Sequence, residues 1–378
     1  MSKILVVIPN LEYSGAARQL CLLATGLAGT TCEIRVCTLG AAGPVAETLR
    51  TAGITVDELG WRRWIELKPF WRFRQLMKRF APDIVHVWRM SSLRVVRILG
   101  AGRSRMLASA AWPMRKRPGL PGALDRKAFQ RAEYVVATSS AEVERCMRLG
   151  LPAEKVVLIP PGVRLAEMQK GAEKTLRQVL HLNDAIRLIL CVGPLEHDKG
   201  YLEAIWAFDI LSYLYDNLHL VVVGGGPYRE RMERFVHDIQ CAGRVHFIGP
   251  QPEAARLLSE ADIVWVPSRA SGGVNVALEA MAAGKPVVAS APAGLTEIIR
   301  DGETGFLVPL GDKAALARQT RLLIDDQERA ERMGATGRQY VLRQFTVASL
   351  IEQYARLYER LAAVSPVQST KTNRTGGI

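Results

Sequence analysis

The sequence predicts an α/β fold made of two doubly wound parallel-sheet domains. Three observations lead there. Short apolar runs alternate with amphipathic stretches along most of the chain, and the alternation stops at Pro160-Pro161-Gly162 and then begins again. The runs are apolar throughout and not at every second residue, so the strands are buried on both faces, as in a parallel sheet covered by helices on either side. At 378 residues the chain is too long for one ordinary core and suits two.

In the first half "KILVVIP", "EIRVCTL", "DIVHVW" and "YVVATS" read as strands, with helical patterns such as "ARQLCLLATGL" and "WRFRQLMKRF" between them. After "VVLIPPGV" come "RLILCVG", "LHLVVVGGG", "RVHFIG", "DIVWVP" and "PVVAS". The expected domains are 1–160 and 161–346. "SLIEQYARLYERLAAV" supplies a closing helix over 347–363, and the polar tail 364–378 is expected to be disordered. In such sheets ligands bind beyond the carboxyl ends of the strands, so chemistry is expected at the glycine-rich strand ends.

Composition narrows the function. Hydrophobic residues are 48% and charged residues 23%, the balance of a soluble globular protein. Cys21, Cys32, Cys37, Cys146, Cys191 and Cys241 form no C-x-x-C pair, and most lie in apolar runs, so they read as buried free thiols of a reducing cytosol. The opening "MSKILVVIPN" reads as a first strand and not a signal peptide. No apolar run reaches the ~18–20 residues of a membrane span.

Two nucleotide-binding motifs nearly match and fail. In "GGGPYR", 224–229, the third glycine of a dinucleotide fingerprint would fall on Arg229. A P-loop ending at Gly284-Lys285 would need glycine where Glu279 stands and a hydroxyl where Pro286 stands. Neither a dehydrogenase nor an NTPase is supported.

Taken in order, the pieces resemble the family 4 glycosyltransferases, enzymes of the GT-B fold with two Rossmann-like domains facing a cleft, over nearly all of residues 3–362. The strongest segment is "ADIVWVPSRASGGVNVALEAMAAGKPVVASAPAGLTEIIRDGETGFLVPLGD", 261–312, which looks like the family's donor-binding element. "SGAARQL", 14–20, looks like the glycine-rich first loop, so Ser14, Gly15 and Ala16 are expected at the acceptor and diphosphate. "APDIVHVW", "EKVVLIPPGV", "VGPLEHDKG" and "VVVGGGP" fall where the family has its own versions. The resemblance implies transfer of a sugar from a nucleotide-sugar to a glycan or lipid-linked acceptor. It further implies retention of configuration, no essential metal and no cofactor beyond the nucleotide-sugar itself, with a place in cell-envelope or exopolysaccharide synthesis.

The residue types suit that chemistry. Glu279 can accept two hydrogen bonds from a ribose diol. Gly272, Gly273, Val274 and Asn275 open its helix, where backbone N–H groups can face a diphosphate, and Gly193 and Gly224 end strands in the same way. Lys199 can neutralise charge growing on the leaving diphosphate. Glu297, before "DGETG", matches another family carboxylate. The blander readings are a dipole-stabilised helix acid for Glu279 and a solvated loop lysine for Lys199. For His86, a satisfied strand-end histidine is the favoured reading over a substrate contact, and His197 has no nameable partner.

Departures fall in the expected catalytic centre. The family's second glutamate, eight positions before Glu279, is Ser271 here, and a usual glycine is Val274. The arginine of the usual phosphate-binding Arg/Lys pair is Pro194, with Arg269 a candidate to replace it. No histidine lies in "LASAAWPM", 107–114, where many members place one. A degenerate nucleotide-sugar-binding protein is therefore the alternative, with a basic nucleic-acid-binding protein behind it.

The net charge of +13 is confined to one window. Between Trp61 and Arg117 stand 15 Lys and Arg against Glu66 and Asp83, with Trp61, Trp64, Trp71, Trp88 and Trp112. Phe70, Phe73, Met77 and Phe80 recur at helical spacing as a core stripe. That leaves Trp61, Arg62, Arg63, Trp64, Trp71, Arg72 and Arg74 to face outward. Cationic and aromatic surface suits an anionic membrane, so a cytoplasmic protein on the inner membrane face is expected, with no nucleic-acid partner.

Overall fold

The computed structural model describes residues 1–30, 32–61, 66–110, 129–165, 175–252, 254–269, 272–292 and 294–363. Ser271, Arg62, Arg63, Trp64 and the tail 364–378 lie outside them.

The first sheet holds β1 (Ser2–Ile8), β2 (Cys32–Thr38), β3 (Thr55–Glu58), β4 (Ile84–Trp88), β5 (Arg105–Ser109), β6 (Tyr134–Ala137) and β7 (Val156–Leu158). The second holds β8 (Arg187–Val192), β9 (Leu218–Val223), β10 (Val245–Gly249), β11 (Ile263–Val266), β12 (Val287–Ser290) and β13 (Phe306–Val308). Strand orders are β3-β2-β1-β4-β5-β6-β7 and β10-β9-β8-β11-β12-β13. Every pairing is parallel. The strand order reverses between β1 and β4 in one sheet and between β8 and β11 in the other. Crevices for ligands open at these two places, beyond the carboxyl ends of those strands.

Each sheet is buried on both faces, as its unbroken apolar strands require. Helix Gly15–Leu27 covers one face of the first sheet through Leu20, Leu23 and Leu27. Helix Val347–Ala363 joins that same core through Leu350, Tyr354, Leu357, Tyr358 and Leu361, so the chain crosses back to the first sheet at its end. The outward and return crossings are tied together: Val163 N donates to Phe345 O at 2.8 Å and Val347 N donates to Val163 O at 3.2 Å. Gly162 sits inside this knot, where a Cβ would lie 3.0 Å from both Leu350 Cβ and Val347 Cα. The Gln19 amide holds it by two reciprocal bonds of 2.9 Å.

Candidate active site

The helix carrying Glu279, Val274–Ala282, starts at Gly273, whose φ is +82°. A Cβ there would meet Val266 Cγ1 at 2.3 Å, so only glycine lets the loop turn this tightly against β11. Glu279 lies on the buried side with a side-chain exposure of 8%, and its Oε1 meets Arg18 Nε of helix Gly15–Leu27 in an ion pair across the cleft. One step away, Gln19 Nε2 donates to Asn275 Oδ1 at 3.4 Å. Gly15 presses on the same asparagine: a Cβ would stand 2.4 Å from Asn275 Nδ2. The first loop thus touches the helix carrying Glu279 directly. Ser14 caps its own helix, accepting from Ala17 N at 3.3 Å, and Ala16 packs on the core.

Lys199 ends the single turn His197–Lys199, closed by Gly200 at φ +69°. Burial pushes the Lys199 ammonium below the ordinary lysine range; Glu196 and Asp198 oppose that shift, and the positive charge of Arg89 adds to it. Gly193 and Gly224 have a plain steric reason to be glycine. A Cβ on Gly224 would lie 1.9 Å from Gly193 O, and one on Gly193 would lie 2.8 Å from Tyr201 Oη. Leu195 N donates to Gly225 O at 2.9 Å and Tyr228 N to Leu195 O at 3.0 Å, so the loops after β8 and β9 are laced as one unit under Lys199.

Arg269, expected at the phosphates, lies against the loop that carries Lys199, where its N donates to Asp198 O at 2.9 Å and its side chain is paired within its own domain. Its Nη1 lies 3.1 Å from Glu203 Oε1 and 3.3 Å from His197 Nε2. The pair borders a cavity of about 340 Å³ that Trp206, Tyr228 and Lys313 also line. His197, without a partner in the sequence reading, therefore has Arg269 beside it.

Glu297 reaches the other sheet's domain. Its two oxygens accept from Ser140 N at 2.6 Å and Ala141 N at 2.9 Å, at the start of helix Ser140–Arg148. A carboxylate there satisfies two orphan donors and suits the helix dipole. His86 is fully buried in β4. Trp88 Nε1 donates to His86 Nδ1 at 3.2 Å; an indole N–H can only donate, so the ring proton sits on Nε2 and points at Ser109 Oγ, 2.9 Å away. Tyr358 Oη also meets Nδ1, at 2.7 Å, and burial pushes the His86 pKa down to about 3. This is the satisfied histidine of the blander reading, pinning the closing helix to β4.

On the basic face, helix Leu67–Phe80 buries Pro69, Phe73, Leu76 and Phe80, while Phe70 and Met77 are half-buried. Leu67 and Trp71 project outward at 72% and 64% exposure, beside exposed Arg72 and Arg74. Trp61 departs from expectation: it packs half-buried on the core, and its N donates to Leu39 O at 2.8 Å, because the chain there extends along β2. Among the described residues no helix is long and apolar enough to cross a membrane, and no three His, Cys, Asp or Glu side chains gather as a metal site.

Sequence reasoning missed Arg18, Gln19 and Arg89. Arg18 and Gln19 stand in the quoted first-loop motif, but their partners are far away in sequence.

Two parallel-sheet Rossmann-like domains with facing crevices, a buried carboxylate behind a glycine loop and a lysine on the adjoining loop define a GT-B glycosyltransferase. The chain belongs to the glycosyl transferases group 1: residues 172–340 match that description and residues 13–167 match Glycosyltransferase Family 4. It is 30% identical over 310 residues, 75% of this chain and 78% of the relative, to a GDP-mannose-dependent alpha-(1-6)-phosphatidylinositol monomannoside mannosyltransferase of Mycobacterium tuberculosis. It is 26% identical over 318 residues to the lipopolysaccharide core biosynthesis glycosyltransferase LpsD of Rhizobium meliloti, covering 82% of this chain and 84% of that one. The fold superposes on Anabaena HepE in complex with UDP-glucose at a TM-score of 0.83 and 21% identity, over 95% of this chain and 100% of that one.

Proposed function

We propose that this glycosyltransferase binds a nucleotide-sugar at Glu279 and Lys199 and passes the sugar, with retention and without a metal, to a lipid-linked or envelope glycan. The observation that carries the reading is the pairing of a buried carboxylate and a partly buried lysine at the one crevice where the second sheet's strand order reverses. The carboxylate orients the ribose and the lysine takes up charge on the leaving diphosphate. The relatives act in envelope chemistry, and one of them uses GDP-mannose on a phosphatidylinositol mannoside. A saturating ligand of the folded state raises stability by RT ln(1 + [L]/Kd). A thermal-shift screen of UDP-, GDP-, ADP- and TDP-sugars should therefore give a shift with one nucleotide class that Glu279→Ala loses. No shift with any of them would leave the degenerate scaffold as the better reading.

The exposed Leu67 and Trp71 among basic residues support docking on an anionic membrane surface on the cytoplasmic side, in preference to nucleic acid. Sedimentation with phosphatidylglycerol vesicles should retain the protein in low salt and release it in high salt. Equal binding to phosphatidylcholine vesicles would count against this docking.

A further inference from the structure

We propose that Arg89 is the second cation of the diphosphate site, closing on the donor from the first sheet while Lys199 holds it from the second. The inference rests on the donor-site reading above and adds to it a residue from the opposite domain.

Three observations converge on Arg89. The first is its place. It follows β4 directly, and β4 flanks the crevice where the first sheet's strand order reverses, as β8, which leads to Lys199, flanks that of the second. The contacts of Arg18 with Glu279 and of Ser140 N with Glu297 hold the two domains closed on each other.

The second is its backbone. Arg89 has φ +70° and ψ +146°, a region populated almost only by glycine. The other described non-glycine residues with positive φ are Ala81, His181 and Gln240, each just past the end of a helix, where a left-handed residue is a common terminator. Arg89 alone of these stands at the carboxyl end of a strand. Strain kept at a strand end beside a cleft marks a side chain that must point in one direction.

The third is its lack of an anion. Arg18 is paired with Glu279 and Arg269 with Glu203. Arg89 is exposed and has no ion pair or hydrogen bond among the described residues. The charge of Arg89 reaches Lys199 across the cleft, so the two cations lie within electrostatic range of each other. Pro194, in the loop after β8, carries no charge, and Arg269 is engaged by Glu203, so the second cation comes from the first sheet as Arg89.

The chemistry gains from a second cation. Transfer breaks the bond between the anomeric carbon and the diphosphate oxygen, and the electron pair stays on that oxygen. The acceptor oxygen bonds to the anomeric carbon and its proton goes to the departing diphosphate. Cations on both sides of the diphosphate stabilise the charge it gains, and because they sit on different domains, the full site exists only in the closed cleft.

The test is calorimetric titration of UDP, GDP, UMP and GMP, with transfer assays on the nucleotide-sugar that shifts the melting curve, for wild type, Arg89→Ala, Arg89→Lys and Glu279→Ala. Arg89→Ala should weaken the nucleoside diphosphate at least tenfold, weaken the monophosphate far less, and lower kcat at least a hundredfold. Arg89→Lys should recover part of both. If Arg89→Ala fails to fold, Arg89→Gly, which fits the backbone, gives the same readouts. Diphosphate affinity and kcat within twofold of wild type in Arg89→Ala, with both lost in Glu279→Ala, overturns the role of Arg89 and leaves the donor site standing. A wild-type protein that binds no nucleotide overturns both.

Discussion

Arg18 and Glu279 form an ion pair that joins the first helix of one domain to helix Val274–Ala282 of the other, with side-chain exposures of 27% and 8%. It turns the carboxylate expected to hold a ribose into part of the closed interface. Removing the arginine leaves an uncompensated carboxylate in a poorly solvated place, which costs about 2–3 kcal/mol. Arg18→Met should lower the unfolding free energy in denaturant by that order, and Arg18→Met with Glu279→Gln should recover most of it. A donor that shares Glu279 with Arg18 should stabilise Arg18→Met more than wild type. An equal thermal shift in both would mean that the two do not share it.

In its proposed role at the leaving diphosphate, Lys199 sets a pH limit on transfer. Burial lowers its folded pKa below the ordinary 10.5, and the reaction needs its protonated form. The rate should therefore fall as pH rises through that lowered value, sooner than an unperturbed lysine would allow. The same shift has a sign in stability. Between the folded and unfolded pKa values the unfolded chain binds more protons, so stability rises with pH across that window. Lys199→Met removes a charge that folding must desolvate. It should melt higher than wild type at neutral pH while losing transfer on the order of a hundredfold.

The His86 cluster predicts an acid transition. The folded pKa near 3, set by burial, lies well below the ordinary 6.5. The contribution of a neutral His86 is complete above about pH 6.5 and is lost at up to ~1.4 kcal/mol per pH unit as pH falls towards 3. His86→Gln cannot titrate there, so its denaturation midpoint should fall less than that of wild type between pH 7 and 4. At pH 7 it should be the less stable of the two, because Trp88 Nε1 and Tyr358 Oη lose their shared acceptor.

These contacts mark how far the sequence could be read. Strands such as Ile84–Trp88 and the closing helix Val347–Ala363 were legible because hydrophobic period is a local property. Gly193 and Gly224 were legible as required glycines, but the reason assigned to them was a phosphate. The structure adds a steric reason, two loops packed backbone to backbone, and that needs both strands in place. The partner of Arg269 was not legible because Glu203 precedes it by three further strands and meets it only in the folded sheet. The contacts of Arg18 and Glu297 were unreadable for the same cause, since each finds its partner in the other domain. Periodicity reports which side of an element is buried, not which residue of a second domain will face it.

The strain at Arg89 separates its two roles. A non-glycine residue at φ +70° costs about 1 kcal/mol, and more where ψ is extended, because its Cβ crowds the backbone. Glycine removes that cost. It also loses little as a helix cap, since Arg89 makes no side-chain cap bond to helix Met90–Leu99. Part of the gain is returned through the wider freedom of glycine in the unfolded chain, roughly 0.5–1 kcal/mol. Arg89→Gly should therefore be as stable as wild type or up to about 1 kcal/mol more so in urea titration, with a melting point equal or higher. Its transfer rate should fall with that of Arg89→Ala. An ordinary surface residue under the same strain would hold or gain stability without losing activity, and a purely structural one would lose stability on replacement. Stability held or gained together with activity lost is the signature of a side chain kept under strain for what it binds.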